Sequence, residues 1–173
     1  MQSTLSAVIV PIPGAERTVA AHRARHDRAS SWGVPAHVTV LYPFVPPAAI
    51  DQDVLTRVAR AVEAVPRFDV AFERSEWFGD SVLWLAPEPS APFEELTAVL
   101  SDAFPEHPPY GGAFEEVVPH LTVGHDAELA ELLRAEAAVR AGLPVRGRVD
   151  AVQVWAGSQA PGTWACLAHA PLG

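Results

Sequence analysis

The hydrophobic pattern switches repeatedly between a strand-like and a helix-like period. Ser6–Ile12 is an apolar run of strand length closed by Pro11 and Pro13. Ala15–His26 predicts a helix, with Val19 and Ala20 set among arginines, and Ser30–Pro35 a loop. Ala36–Tyr42 alternates as a strand and stops before Pro46 and Pro47. In Ile50–Val65 the apolar positions Ile50, Val54, Leu55, Val58, Ala61, Val62 and Val65 follow the 3.6-residue period of an amphipathic helix. Phe68–Phe72 predicts a short strand, and Ser75–Leu85 a hairpin turning at Gly79-Asp80.

The pattern then begins again. Trp84-Leu85-Ala86-Pro87 resembles Val8-Ile9-Val10-Pro11, and Phe93–Phe104 predicts a helix with Phe93, Leu96, Val99 and Leu100 on one face. A loop over His107–Glu116 leads to a strand at Val117–Gly124 and a helix at Ala127–Ala141, stopped by Gly142. Val145–Trp155 and Thr163–His169 close the chain as strands. Trp77-Phe78-Gly79 is mirrored by Trp155-Ala156-Gly157. The order predicts a duplicated, bilobal α+β fold of one domain, 1–173, with repeats at roughly 1–83 and 84–173. A pseudo-twofold arrangement would set two antiparallel sheets around a central cleft, with helices outside.

Composition narrows the class. The chain has 173 residues, 49% hydrophobic and 19% charged, with a net charge of −9; its 12 basic residues are all arginine. Such acidity disfavours binding along a nucleic acid backbone but leaves room for a small anionic ligand. The single cysteine, Cys166, excludes an intrachain disulfide. No apolar stretch has the length of a membrane span, and the first ten residues lack the basic start of a signal peptide. The expectation is a cytoplasmic monomer with no membrane partner.

One tetrapeptide pattern occurs twice, at matching places in the two halves: His37-Val38-Thr39-Val40 and His120-Leu121-Thr122-Val123, with Pro35 and Pro119 just upstream. In a strand, residues i and i+2 share a face, so each copy presents a His and a Thr together. One copy alone usually means a partly buried histidine. Two copies in a longer repeat could bring two imidazoles and two hydroxyls to one phosphate ester, one ring accepting a proton from water while the other donates to the leaving oxygen. Such rings would lie on the order of 5–8 Å apart to share one phosphate.

The stretches PAHVTVLYPF and VPHLTVGH, in a duplicated chain of this size, resemble the 2H phosphoesterase superfamily, which includes the 2′-5′ RNA ligase family and RNA 2′,3′-cyclic phosphodiesterases. The resemblance covers essentially the whole chain. It implies a catalytic pair of His37 and His120, with His120 as base and His37 as acid, and Thr39 and Thr122 on the phosphate oxygens. It implies no metal or other cofactor, and hydrolysis of a 2′,3′-cyclic phosphate, on an RNA terminus or a small nucleotide, to a 2′-phosphate. A non-catalytic nucleotide or RNA-end binder using the same cleft, and a metal-binding module built on the seven histidines, are the alternatives.

Further candidates are weaker. Arg146 and Arg148 share a strand face and could meet a phosphate or face solvent. Phe44, Trp77 and Trp155 could stack a base, although core packing is the default for at least two of the candidate aromatics. Strand parity turns Tyr42 away from the catalytic face, and His125 away from His120. His22 and His26, spaced i, i+4, could join a metal site, but a solvated basic helix face explains them better. His107 and His169 are expected at the surface.

Overall fold

The computed structural model describes residues 3–114, 116–125 and 127–173. The strands are β1 (Leu5–Pro11), β2 (His37–Leu41), β3 (Phe68–Phe78), β4 (Val82–Glu88), β5 (Leu121–His125), β6 (Val145–Val149), β7 (Ala151–Gly157) and β8 (Ala165–Pro171). The helices are α1 (Glu16–His26), α2 (Arg28–Ser31), α3 (Gln52–Val62), α4 (Ala91–Ala103) and α5 (Leu129–Arg140). Two antiparallel four-stranded sheets form, in the orders β2-β1-β7-β8 and β5-β4-β3-β6. The duplicated α+β architecture expected from the pattern is present. No helix among the described residues is long and apolar enough to cross a membrane.

The sheets do not each correspond to one half of the sequence. In both, the motif strand lies at an edge, beside the first strand of its own repeat (β2 on β1, β5 on β4). The third position is filled by a strand from the other repeat: β7 joins β1, and β3 joins β4. Residues 83 and 84, where the sequence pattern divides the repeats, both lie inside β4. The helices are exchanged as well. First-repeat α1 packs on β5, second-repeat α4 packs on β2, and the Thr97 hydroxyl donates to the Val40 carbonyl at 3.0 Å.

Two predicted elements divide differently in the structure. Phe68–Phe78 is one continuous strand, because a register shift between Phe72 and Arg74 absorbs the break in alternation at Glu73. The single strand expected over Val145–Trp155 is two strands in different sheets. Val145 and Val149 bury from one sheet, Val152 and Val154 from the other, and the phase changes at exposed Asp150. Residues 28–31 form α2, which overlaps the start of the loop expected over Ser30–Pro35. Asp27 caps it by accepting from the Ala29 N–H.

One core joins both sheets. Val8, Val10, Val38, Val40 and Leu41 from one sheet meet Phe72, Leu83, Leu85, Leu121 and Val123 from the other, with Phe93, Leu96 and Leu100 of α4 between elements. Each such side chain contributes about 1.5–3 kcal/mol on burial. α3 follows its sequence pattern: Asp51 caps the Val54 N–H, and Val58 and Val62 point inward.

Candidate active site

The two motifs are built alike. His37 opens β2, and its Nδ1–H donates to the Pro35 carbonyl at 2.7 Å. His120 immediately precedes β5, and its Nδ1–H donates to the Val118 carbonyl, also at 2.7 Å. A carbonyl can only accept, so each ring carries its proton on Nδ1 and keeps Nε2 for chemistry. His37 Nε2 lies 3.1 Å from the Thr39 hydroxyl. Thr39 and Thr122 are half-buried on the faces away from the main core, while Val38, Leu121 and Val123 are enclosed by it. β2 and β5 are edge strands of different sheets, yet they pack against each other, and the two imidazoles influence each other electrostatically.

That environment resists charge on either ring. Burial, then the nearby Arg23 guanidinium, pushes His37 down to about 4, against the opposing pull of the Pro35 carbonyl and Asp27. His120 is also lowered, chiefly by burial and further by His125, while the Val118 carbonyl opposes the shift. Both rings are therefore mainly neutral at pH 7.

A bulge recurs in both motif strands and resets the faces of the residues beyond it. Val8 pairs with Leu41 and Ile9 with Thr39, leaving Val40 as the extra residue. Leu83 pairs with Gly124 and Trp84 with Thr122, leaving Val123 as the extra residue. The residue after the motif threonine thus takes up one step, and the alternation reverses from there. Tyr42 consequently packs with Ala7 and Ile9 on the face of Thr39, and His125, paired with Val82, returns to the face of Thr122. Both expectations from simple parity are corrected by this one device.

The register also corrects the aromatic candidates. Ile9 and Trp84 occupy equivalent places opposite Thr39 and Thr122, which makes Trp155 (opposite Ala7) equivalent to Phe78 (opposite Val82) rather than to Trp77. The matched tryptophans of the sequence were one residue out of step, and one residue reverses the face. Trp77 points to α5, where its indole N–H donates to Glu136 at 3.1 Å beside the Ser75 hydroxyl at 2.7 Å. Phe78 instead stacks on Trp84, ring centroids 4.7 Å apart, and meets His120 edge-on at 5.0 Å; Trp84 lies 5.9 Å from the same ring. Trp155 shares the face of Thr39, half-buried, with its N–H donating to Gln153 at 2.7 Å. Phe44 is only 4% exposed and packs edge-on against Phe104 in the core, so it is not available to a ligand.

Arg146 and Arg148 stand on β6, at the edge of the sheet farthest from β5, and Arg148 is paired with Asp69 and Asp150 at 3.1 Å each. His26 packs on Gly124, and among the described residues no three His, Cys, Asp or Glu side chains gather as a metal site. His107 is half-buried near Phe44, and His169 is exposed beside Gln153. Sequence reasoning missed Phe78, Trp84, Arg23 and Tyr110. Tyr110 holds a left-handed backbone (φ 51°), donates its N–H to the Tyr42 carbonyl at 2.5 Å, and hydrogen-bonds Thr39 through its side chain. Its only sequence signal was the glycine pair after it.

Each of the two sheets thus carries one of the motif strands at its edge. The family model for the 2′-5′ RNA ligase superfamily matches residues 10–160, and the chain belongs to that superfamily. Escherichia coli LigT, solved with 3′-AMP, matches over 99% of both chains at 17% identity with a TM-score of 0.61. TT0787 of Thermus thermophilus matches over 96% of this chain and 97% of its own at 16% identity, TM-score 0.64. A structure described as a phosphoesterase matches over 98% of both chains at 17% identity, TM-score 0.60. No match was found among curated proteins. Membership supports an activity of the 2H phosphoesterase type.

Proposed function

We propose that the chain is a phosphodiesterase that opens a 2′,3′-cyclic phosphate, on a small nucleotide or an RNA terminus, with His37 and His120 as its acid–base pair and without a metal. The observation that carries this reading is the matched pair of imidazoles. Each has Nδ1–H spent on the carbonyl two residues upstream and a threonine two residues downstream. One Nε2 takes a proton from water as the water oxygen attacks phosphorus. The bond from phosphorus to O3′ breaks, and the other ring, protonated on both nitrogens once the phosphate is bound, delivers its Nε2 proton to O3′. The products are a 2′-phosphate and a free 3′-hydroxyl. Thr39 and Thr122 donate to the equatorial oxygens, where negative charge grows. LigT has also been solved with phosphate and with ATP, which supports a small phosphorylated ligand here. The acidic surface fits such a ligand better than long nucleic acid, and we take the protein to act as a cytoplasmic monomer.

Electrostatics favours one assignment of roles. A ring titrating at about 4 is protonated about one part in 10³ at pH 7, a deficit of roughly 4 kcal/mol. As an acid, His37 would need the substrate phosphate to make up that deficit; as a base it is already in the required neutral form. This supports His37 as base and His120 as acid, the reverse of what family resemblance implies.

Phosphorus NMR on 2′,3′-cyclic nucleotides and cyclic-phosphate RNA ends, with and without chelator, tests the reading. A 2′-phosphate should form equally in both conditions and form far more slowly with His37→Ala. Stoichiometric binding without turnover would make the protein a binder, and rescue of a chelated enzyme by zinc or manganese would end the metal-free scheme.

A further inference from the structure

We propose that Arg23 is a positioning residue for His37: anchored by Asp27, it fixes the backbone segment whose carbonyl sets the tautomer and direction of the catalytic ring. The inference rests on the acid–base reading of His37 given above. The run His22-Arg23-Ala24-Arg25-His26 reads as a solvated basic helix face, yet Arg23 is 2% exposed and the largest fully buried side chain among the described residues. A guanidinium in that position is costly unless its donors are matched, and an apolar side chain of similar length would fill the space at no such cost.

The donors are spent in one direction. Nε and Nη2 both reach Asp27 Oδ2 at 2.9 Å, and Nη2 also donates to the Val34 carbonyl at 3.2 Å. Asp27 is itself held, because its Oδ1 accepts the Ala29 N–H at 3.0 Å. Val34 in turn donates its N–H to the Ala29 carbonyl at 3.0 Å. Pro35 comes next, and its carbonyl accepts the Nδ1–H of His37. Proline has no N–H of its own to anchor, so the place of that carbonyl depends on its neighbours. Both neighbours are held from α1: Val34 by Arg23, and Ala36 by the Glu16 carboxylate, which accepts its N–H at 2.6 Å. The far end of α1 lies against the other motif, where His26 packs on Gly124 of β5. One helix thus touches the backbone around both motifs.

Around His37 the charged and titratable groups are Arg23 and Asp27 from α1 and its end, and His120 ahead of β5; Thr39 and, through it, Tyr110 complete the polar surroundings. Arg23 is the nearest fixed positive charge among them. It therefore acts on His37 both through the backbone and through space.

Nitrogen-15 NMR of the histidine rings, with kcat and KM on a cyclic nucleotide, tests the proposal in Arg23→Lys, Arg23→Met and Asp27→Asn. Arg23→Lys keeps the charge and loses the two-sided grip. Its kcat should fall roughly 10–100-fold with KM within about twofold, as expected for a misplaced catalytic group, and the His37 ring should move toward a mixture of tautomers. Arg23→Met should raise the His37 pKa and shift the corresponding limb of the pH–rate profile upward. If that variant fails to fold, Asp27→Asn gives the opposite sign, lowering His37 further by leaving Arg23 unbalanced. Unchanged ring shifts and an unchanged pH profile in folded variants would overturn the proposal, whatever their stability. The ring spectra need no turnover, so an inactive wild type would end the phosphodiesterase reading while leaving this test standing.

Discussion

The depressed His37 pKa makes folding stability depend on pH in a definite direction. The ring titrates at about 4 in the folded protein against 6.5 for an unperturbed histidine. Between those values the unfolded chain binds more protons than the folded one, so stability falls as pH falls and is unaffected above 6.5. At pH 5 the cost is RT times the logarithm of the ratio of the two protonation polynomials, about 2 kcal/mol. At pH 7.5 it is close to zero. His37→Gln removes this proton site and retains a polar side chain. Urea unfolding of both proteins at pH 7.5 and pH 5 isolates the effect, because other titrating groups contribute alike to each. The wild type should lose about 2 kcal/mol more than the variant between the two pH values, near 1 M in midpoint for an m-value around 2 kcal/mol/M. An equal loss in both proteins would show that His37 holds no such shift, and the electrostatic argument for its role as base would go with it.

Other outcomes rest on the same geometry. The pH dependence of kcat/KM should be bell-shaped with its optimum below 6.5, since both rings are lowered; loss of the acidic limb in His37→Ala marks that residue as the base, and loss of the alkaline limb marks it as the acid. His37→Ala and His120→Ala should each cost nearly as much turnover as the double variant, because the pair acts as a unit, and near-normal turnover in either single variant would leave only one catalytic histidine. Thr39→Val and Thr122→Val should cost less, about 10–10³-fold in kcat, and unchanged kcat would place the hydroxyls off the phosphate. Gly124→Ala would put a Cβ 2.5 Å from Leu132 and 3.0 Å from His26, so thermal unfolding should show a loss of about 1–3 kcal/mol; a neutral result would mean α1 and α5 yield freely beneath β5.

Most elements, and the face that His37 and Thr39 take, were legible because each depends on local pattern. Val54, Val58 and Val62 repeat at helical spacing, and His37 and Thr39 at strand spacing. What failed depended on pairing between segments distant in sequence. Parity placed Tyr42 and His125 away from the site, and only the partner strands reveal that Val40 and Val123 are bulged. Matching tryptophan to tryptophan was natural, but register makes Phe78 the counterpart of Trp155. The phase change at Asp150 was visible in the valines on either side of it, and went unread as a crossing between sheets. Arg23 was hidden for another reason, since a basic run on a helix ordinarily marks solvent.

Duplication alone supplies two equal imidazoles, whereas acid–base chemistry on one phosphate needs two unequal ones. The exchange of strands and helices keeps the halves geometrically alike: both rings donate to a carbonyl two residues upstream, and both strands bulge after the threonine. The difference lies in the covering helices. α1 brings the buried Arg23 close to His37, while α4, its counterpart in the second repeat, contains no basic residue. Among the described residues, the groups that shift His120 include no such fixed charge; beyond burial, its lowering comes from His125. The permanent positive charge near His37 biases a proton taken up with the substrate toward His120. On this argument Arg23 turns a symmetric scaffold into one with a preferred base, and exchanging that asymmetry would exchange the limbs of the pH profile.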